Sequence, residues 1–278
     1  MKPIRNYRTA ATASVLSILL AGVSGTALAE NAPAVSKLNG KAALAGTFSD
    51  DDTTDELWGG LLLGSVTAPL GHEFGFQADG LVGTRDGDTV AGIGGHLFWR
   101  DPANGLVGVT ASYLDVNNDG AIPDQSVTRF GGEAEYYAET VTIALHAGIQ
   151  DGDNVDDGFY GSAIGYWYPN DNLRLNLGAS NDPSRDTMGL AGVEFQPGFA
   201  AAPGMTFFVD AAAGKDSYVN LLAGVRFYFG DDKSLKLRNR ADDPIVNLPG
   251  TSLTETPVPG NTCPSGSVWY MGKCVVPG

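Results

Sequence analysis

The chain has 278 residues, with 17 Lys and Arg against 32 Asp and Glu and a formal net charge of -15. This balance excludes a nucleic-acid partner, since phosphate contacts need a broad basic face. Only Lys233, Lys236, Arg238 and Arg240 cluster, and at the head of a tail they read as solvated charge.

Residues 1–29 have the layout of a secretory signal peptide. Lys2, Arg5 and Arg8 precede an apolar stretch from Ala10 to Val23, and Ala27 and Ala29 take the small-residue cleavage positions. Cleavage after Ala29 leaves residues 30–36 as an N-terminal lead. Beyond this segment no stretch approaches the ~20 apolar residues of a spanning helix. A membrane location therefore requires strands closed into a barrel, the only sheet that satisfies every backbone group in lipid.

Extended runs between turn signals predict about twelve strands, at roughly 37–48, 56–68, 73–84, 89–99, 105–114, 127–138, 140–149, 158–168, 172–180, 187–196, 205–214 and 218–229. Ten is the lower count that the boundaries allow. Leu173, Leu175 and Leu177 alternate with Arg174, Asn176 and Gly178, and Val141, Ile143 and Leu145 with Thr140, Thr142 and His146. The first, second and eighth runs are less regular. The spacing suits transmembrane strands of ~9–11 residues.

Charge is sorted by loop parity. Odd-numbered connections, among them SDDDTTDE, DVNNDGAIPDQS and QDGDNVDDG, hold more than half of the 32 acidic residues; the even ones, such as PLGH and YPNDN, hold few. A soluble sandwich has no reason for this, whereas a barrel with acidic outer loops and short inner turns does. Trp99, Tyr136, Tyr168, Phe195 and Phe229 are expected near the inner strand ends, as an interfacial girdle. The predicted fold is thus all-β: a closed antiparallel transmembrane barrel over 37–230, followed by a short C-terminal tail.

The last run, YVNLLAGVRFYFG at 218–230, places Val219, Leu221, Ala223, Val225, Phe227 and Phe229 on one face, and Asn220, Gly224, Arg226 and Tyr228 on the other. Its end, GVRFYFG, resembles the terminal-strand insertion signal of bacterial outer-membrane β-barrel proteins of the porin-like superfamily. Gly224, Phe227 and Phe229 carry that resemblance. It implies residence in a Gram-negative outer membrane, with lipid and lipopolysaccharide as surroundings, and is specific for architecture rather than activity. The chain departs from the pattern by continuing well beyond Phe229.

The inward faces are expected to form a mixed-charge lumen that includes Lys41, Asp79, Arg129, Glu133, Glu135, His146, Arg174, Asn176, Glu194, Asp210 and Arg226. Twelve strands lie between the ~8 whose bore side chains fill and the 16–18 of open porins, so both a narrow channel and a plugged barrel fit. In the plugged form Arg129, Arg174 and Arg226 would pair with Glu133, Glu135, Asp79 and Glu194. Of the three histidines, His72 falls in an inner turn, His96 near the inner end of its strand, and His146 alone points inward. Barrel phospholipases and omptin-type proteases are similar in strand number, but their motifs are absent, and the chain reads as a non-enzyme without a cofactor.

Asp115, Asn117, Asp119 and Gly120 form D-x-N-x-D-G, the first half of a calcium loop, but Ser126 stands at the twelfth position where Glu is usual. Calcium at this outer loop and solvated loop charge are both open readings. Residues 231–262, with Pro244, Pro249, Pro257 and Pro259, read as an extended periplasmic linker. Residues 263–278 read as a small hairpin closed by a Cys263–Cys274 disulfide, worth about 3 kcal/mol in the chain-entropy model. The tail is either a knob touching peptidoglycan, a periplasmic protein or the lumen, or a capped terminus. Two functions follow: a porin-like channel for small hydrophilic solutes or ions, and a closed structural barrel acting through its tail.

Overall fold

Alternation of apolar and polar residues over a dozen runs leaves each strand with one face for lipid and one for the interior. In the computed structural model, which describes residues 32–52, 54–118, 124–245, 268–270 and 273–275, these runs become twelve strands. They are β1 (Asn39–Asp51), β2 (Thr54–Leu70), β3 (Phe74–Arg85), β4 (Asp88–Asp101), β5 (Gly105–Asn117) and β6 (Gln125–Tyr137), then β7 (Val141–Asp153), β8 (Gly158–Asn170), β9 (Leu173–Asp182), β10 (Asp186–Phe195), β11 (Met205–Ala213) and β12 (Val219–Tyr228). Each pairs antiparallel with its sequence neighbours, and β1 pairs with β12 from Lys41↔Tyr228 to Asp50↔Val219, so the barrel closes without a free edge. The expected signal peptide lies outside the described residues.

The outer wall is apolar. Leu44, Leu62, Ile93, Leu145, Ile149 and Leu177 stand exposed on it, and in water such a surface would be an aggregation site. Lipid is the solvent that suits it. Tyr136, Phe195 and Phe229 join this exposed face near the periplasmic strand ends. Tyr168 does not: it is buried in the lumen, and its neighbour Trp167 takes the outward position. A register shift between Trp167 and Asn170 accompanies this irregular end of β8.

The barrel interior is filled in layers. A cluster of Ala43, Leu61, Leu81, Leu114, Val127, Phe208 and Leu222 with their neighbours packs inward on one side, and Ile164, Tyr166, Tyr168, Met188, Leu190 and Tyr218 form a second cluster on the other. The segment after β12 was expected to be extended. It instead forms a short helix, α1 (Leu235–Ala241), whose N-cap Ser234 accepts a hydrogen bond from the Leu237 amide. Far along the tail, β13 (Val268–Tyr270) and β14 (Lys273–Val275) pair as a two-stranded hairpin. The Cys263–Cys274 pairing lies outside the described residues.

Candidate functional site: the lumen and its periplasmic stopper

Strand parity sends a set of ionisable side chains into the interior, where each must find a partner because isolated buried charge is strongly unfavourable. Glu194 of β10 is fully buried and sits between two guanidiniums, with Arg174 Nη2 at 2.8 Å and Arg226 Nη1 at 2.7 Å. Thr206 Oγ1 and the Tyr228 hydroxyl donate to its other oxygen at 2.8 and 3.1 Å. Arg174 also lies over the Tyr166 ring and Arg226 over Phe208. Next to this group Asn176 and Asp210 meet across Gly192, where an added Cβ would clash with Asp210 Oδ1.

A second group is built on His96. It points inward, contrary to expectation, with Nε2 2.9 Å from Asp79 Oδ2 and Nδ1 2.9 Å from Glu133 Oε2. Gly108 leaves the space Glu133 needs, since a Cβ there would meet Glu133 Oε1 at 2.8 Å. His146 stands beside it, 3.8 Å from Glu133 Oε2 and 3.3 Å from Ser162 Oγ. Glu135 accepts from the Tyr137 hydroxyl at 2.7 Å. The expected arginine pairings are thus redistributed. Glu194 takes two arginines, Asp79 and Glu133 take a histidine, and Arg129 pairs with Asp182 and with Gln150 Oε1.

At the periplasmic end the lumen receives the protein's own flanking segments. α1 was expected to carry solvated charge, yet Arg238 is 1% exposed and Arg240 9%. Arg240 lies over Tyr137 and Tyr168 and donates to Thr142 Oγ1 at 3.1 Å and the Val141 carbonyl at 2.9 Å. Asn239 Nδ2 donates to the Tyr168 hydroxyl at 3.2 Å. Lys41, the β1 lysine, donates to the Pro244 carbonyl. From the opposite wall Arg100 Nη1 donates to the Ala34 and Asp242 carbonyls at 3.0 and 3.4 Å.

The two termini of the barrel brace each other in this stopper. Asp242 accepts from Ser36 Oγ at 2.5 Å and from Lys233 Nζ at 2.7 and 2.8 Å, and the Ser36 amide donates to the Ala241 carbonyl at 3.2 Å. Burial pushes the Asp243 carboxyl above its usual range, against the opposing pull of Lys41. Outside, a hydrogen bond from Lys37 at 2.5 Å holds the exposed Asp231 carboxyl below its usual range.

At the extracellular end loops meet across the mouth. Arg185 Nη1 reaches Asp51 Oδ2 at 3.0 Å and lies 4.0 Å over the Tyr218 ring, while the Asp52 amide donates to the Asp216 carbonyl at 3.0 Å. Of the calcium-loop residues, Asp115 accepts from Asn117 Nδ2 at 2.6 Å, and Asp119 lies outside the described residues. Among the described residues no three His, Cys, Asp or Glu side chains are grouped to hold a metal. Gly224 and Phe227 lie in β12, and Phe229, just past it, donates its amide to the Gly40 carbonyl at 2.8 Å.

No family model matches the chain, and no curated protein matches it. Solved structures do. The COG4313 outer membrane channel from Pseudomonas putida F1 is 10% identical with a TM-score of 0.53, covering 73% of this chain and 100% of that one. The KdgM porin is 8% identical with a TM-score of 0.51, covering 68% and 99%. The translocator domain of the autotransporter NalP from Neisseria meningitidis is 14% identical with a TM-score of 0.50, covering 70% and 88%. At these identities the likeness shows the fold alone: a closed antiparallel β-barrel, shared with an outer-membrane channel, a porin and a translocator domain.

Proposed function

We propose that this outer-membrane barrel is a porin-like channel for small hydrophilic solutes or ions whose resting state is closed by its periplasmic stopper. The observation that carries the reading is the lumen's mixed-charge lining. A purely structural barrel could fill the same bore with apolar side chains, often at no loss of stability, because buried ion pairs only break even against hydrophobic packing. This chain places Arg174, Arg226, Glu194, Asp79, His96 and Glu133 there instead, and ionisable groups at membrane depth mark ion and solute paths. Opposed arginine and carboxylate side chains would set the transverse field of a constriction.

The stopper favours a second reading, a closed barrel that serves as an anchor for its tail. One experiment separates the two. Leu235 of α1 is fully buried, so Leu235→Asp should expel the helix and leave the wall intact. In planar bilayers the variant is expected to give stepwise currents where the full-length protein is nearly silent. A folded, heat-modifiable variant that stays silent would leave the structural barrel standing and end the channel reading.

The reading is non-enzymatic. His146 faces Ser162, but Glu133 on its far side is already engaged by His96, so the nucleophile–base–orienter relay of a hydrolase is incomplete. Calcium at the outer loop, and peptidoglycan or a periplasmic protein at the tail, are proposals for separate binding tests.

A further inference from the structure

Arg85 ends β3 at the extracellular rim and points inward, only 7% exposed. Arg174 and Arg226 hold Glu194, Arg129 holds Asp182, and Arg185 holds Asp51, while Arg100 bonds main-chain carbonyls inside the stopper. Like Nε and Nη2 of Arg100, two donors of the Arg85 fork at the opposite end, Nε and Nη1, are buried without a protein partner. So is the hydroxyl of Tyr218, a residue 3% exposed that precedes β12 at the same rim.

The charged and titratable groups that act on Arg85 are Tyr218, Arg185 and Asp88. Arg185 is pinned over the Tyr218 ring by its bond to Asp51, whose carboxylate offsets its charge while leaving the guanidinium fixed at the rim. A guanidinium removed from water needs an acceptor on each of its donors. Beside the two open donors stand a second guanidinium and an unengaged hydroxyl, donors suited to an oxygen-bearing anion, which would compete with the Asp88 carboxylate for Arg85.

We propose that the extracellular end of the lumen is an oxyanion-binding site, built on the Arg85 guanidinium and the Tyr218 hydroxyl and flanked by Arg185, that takes the carboxylate or phosphate group of a small solute outside the cell. The anion completes the hydrogen bonding of the two buried groups. The site stands whether or not the lumen conducts, so it goes beyond the channel reading.

The test is thermal unfolding and calorimetric titration of the full-length protein, refolded in detergent, with acetate and with inorganic phosphate at constant chloride-adjusted ionic strength. A ligand bound only by the folded state raises the unfolding temperature saturably. Saturable binding of acetate alone assigns a carboxylate solute, of phosphate alone a phosphorylated one, and of both a general oxyanion site. Arg85→Gln is expected to weaken binding by at least about tenfold, the loss of a charge-assisted contact. Tyr218→Phe, which keeps the ring under Arg185, should weaken it about threefold and decides the matter if Arg85→Gln does not fold. Lys215→Gln, an exposed lysine at the same rim, should leave it unchanged. No saturable binding of either anion overturns the proposal, as does undiminished binding by Arg85→Gln and Tyr218→Phe or equal loss in Lys215→Gln.

Discussion

At the periplasmic end the protein's own flanking segments insert into the lumen and pack there, whereas at the extracellular end side chains reach between loops. The first set buries Leu235 and seats Arg238 over Tyr228 and Arg240 over Tyr137 and Tyr168. The second includes the Arg185–Asp51 bridge, a backbone bond from Asp52 to Asp216, and bonds from Asn154 to the Asp124 carbonyl and from the Asp156 amide to Ser184 Oγ. Insertion removes apolar and aromatic surface from water and resists salt. The Arg185–Asp51 bridge is also largely buried, with side chains 14% and 5% exposed, so salt screens it only in part.

The comparison breaks most severely at Glu194, next to the periplasmic end of β10 and linked through Tyr228 to Asn239 of the stopper. Glu194→Ala leaves Arg174 and Arg226 buried without their shared carboxylate, and the expected loss is about 3–5 kcal/mol, read as a lowered urea midpoint for refolding into detergent. Arg240→Ala should act on the stopper alone. It removes two hydrogen bonds and two ring contacts, about 2–3 kcal/mol of docking, and should expose the segment after Tyr228 to protease while the barrel keeps its heat-modifiable mobility. An unaltered digestion pattern would show that the helix is not held by its arginine.

Gly192→Val is a finer probe. Its side chain would occupy the space where Asn176 meets Asp210, costing about 1–3 kcal/mol as overpacking, with the loss confined to the β9–β11 side of the lumen. The smallest effect is on pH dependence. Burial raises the Asp243 carboxyl above its ordinary range in the folded protein, so between the ordinary and the raised value the folded state binds more protons than the unfolded one. Its contribution therefore favours docking below the ordinary carboxylate range and is lost as pH rises through the raised value. Asp243→Asn should hold the stopper at neutral pH at least as firmly as the native residue and flatten the pH profile of protease protection. A steeper profile would contradict the assigned cause.

The wall was the legible part. Alternation such as Leu173–Arg174–Leu175–Asn176 fixes a face without knowledge of neighbours, and twelve such runs with parity-sorted acidic loops imply closure. His96 was misplaced because Gly92, Gly94 and Gly95 blur the alternation of β4, leaving no polar face to read. Pairing inside the lumen was illegible for another reason: Arg129 and Asp182 are distant in sequence, and which carboxylate an arginine meets depends on barrel tilt. The stopper did leave a trace in Ser234 followed by Leu235-Lys236-Leu237-Arg238, a capped helical start. Its arginines resembled solvated charge because nothing local announces an aromatic seat assembled from β6, β8 and β12.

That seat also orders the protein's biogenesis. The tail emerges after β12, and its partners lie on β1, β4, β6, β7 and β8 as well as on β12 itself. An open sheet whose first and last strands have not met offers α1 only the part of this seat on β6, β7 and β8. The full set of contacts requires the seam between β1 and β12, so protection of the whole tail reports a closed barrel.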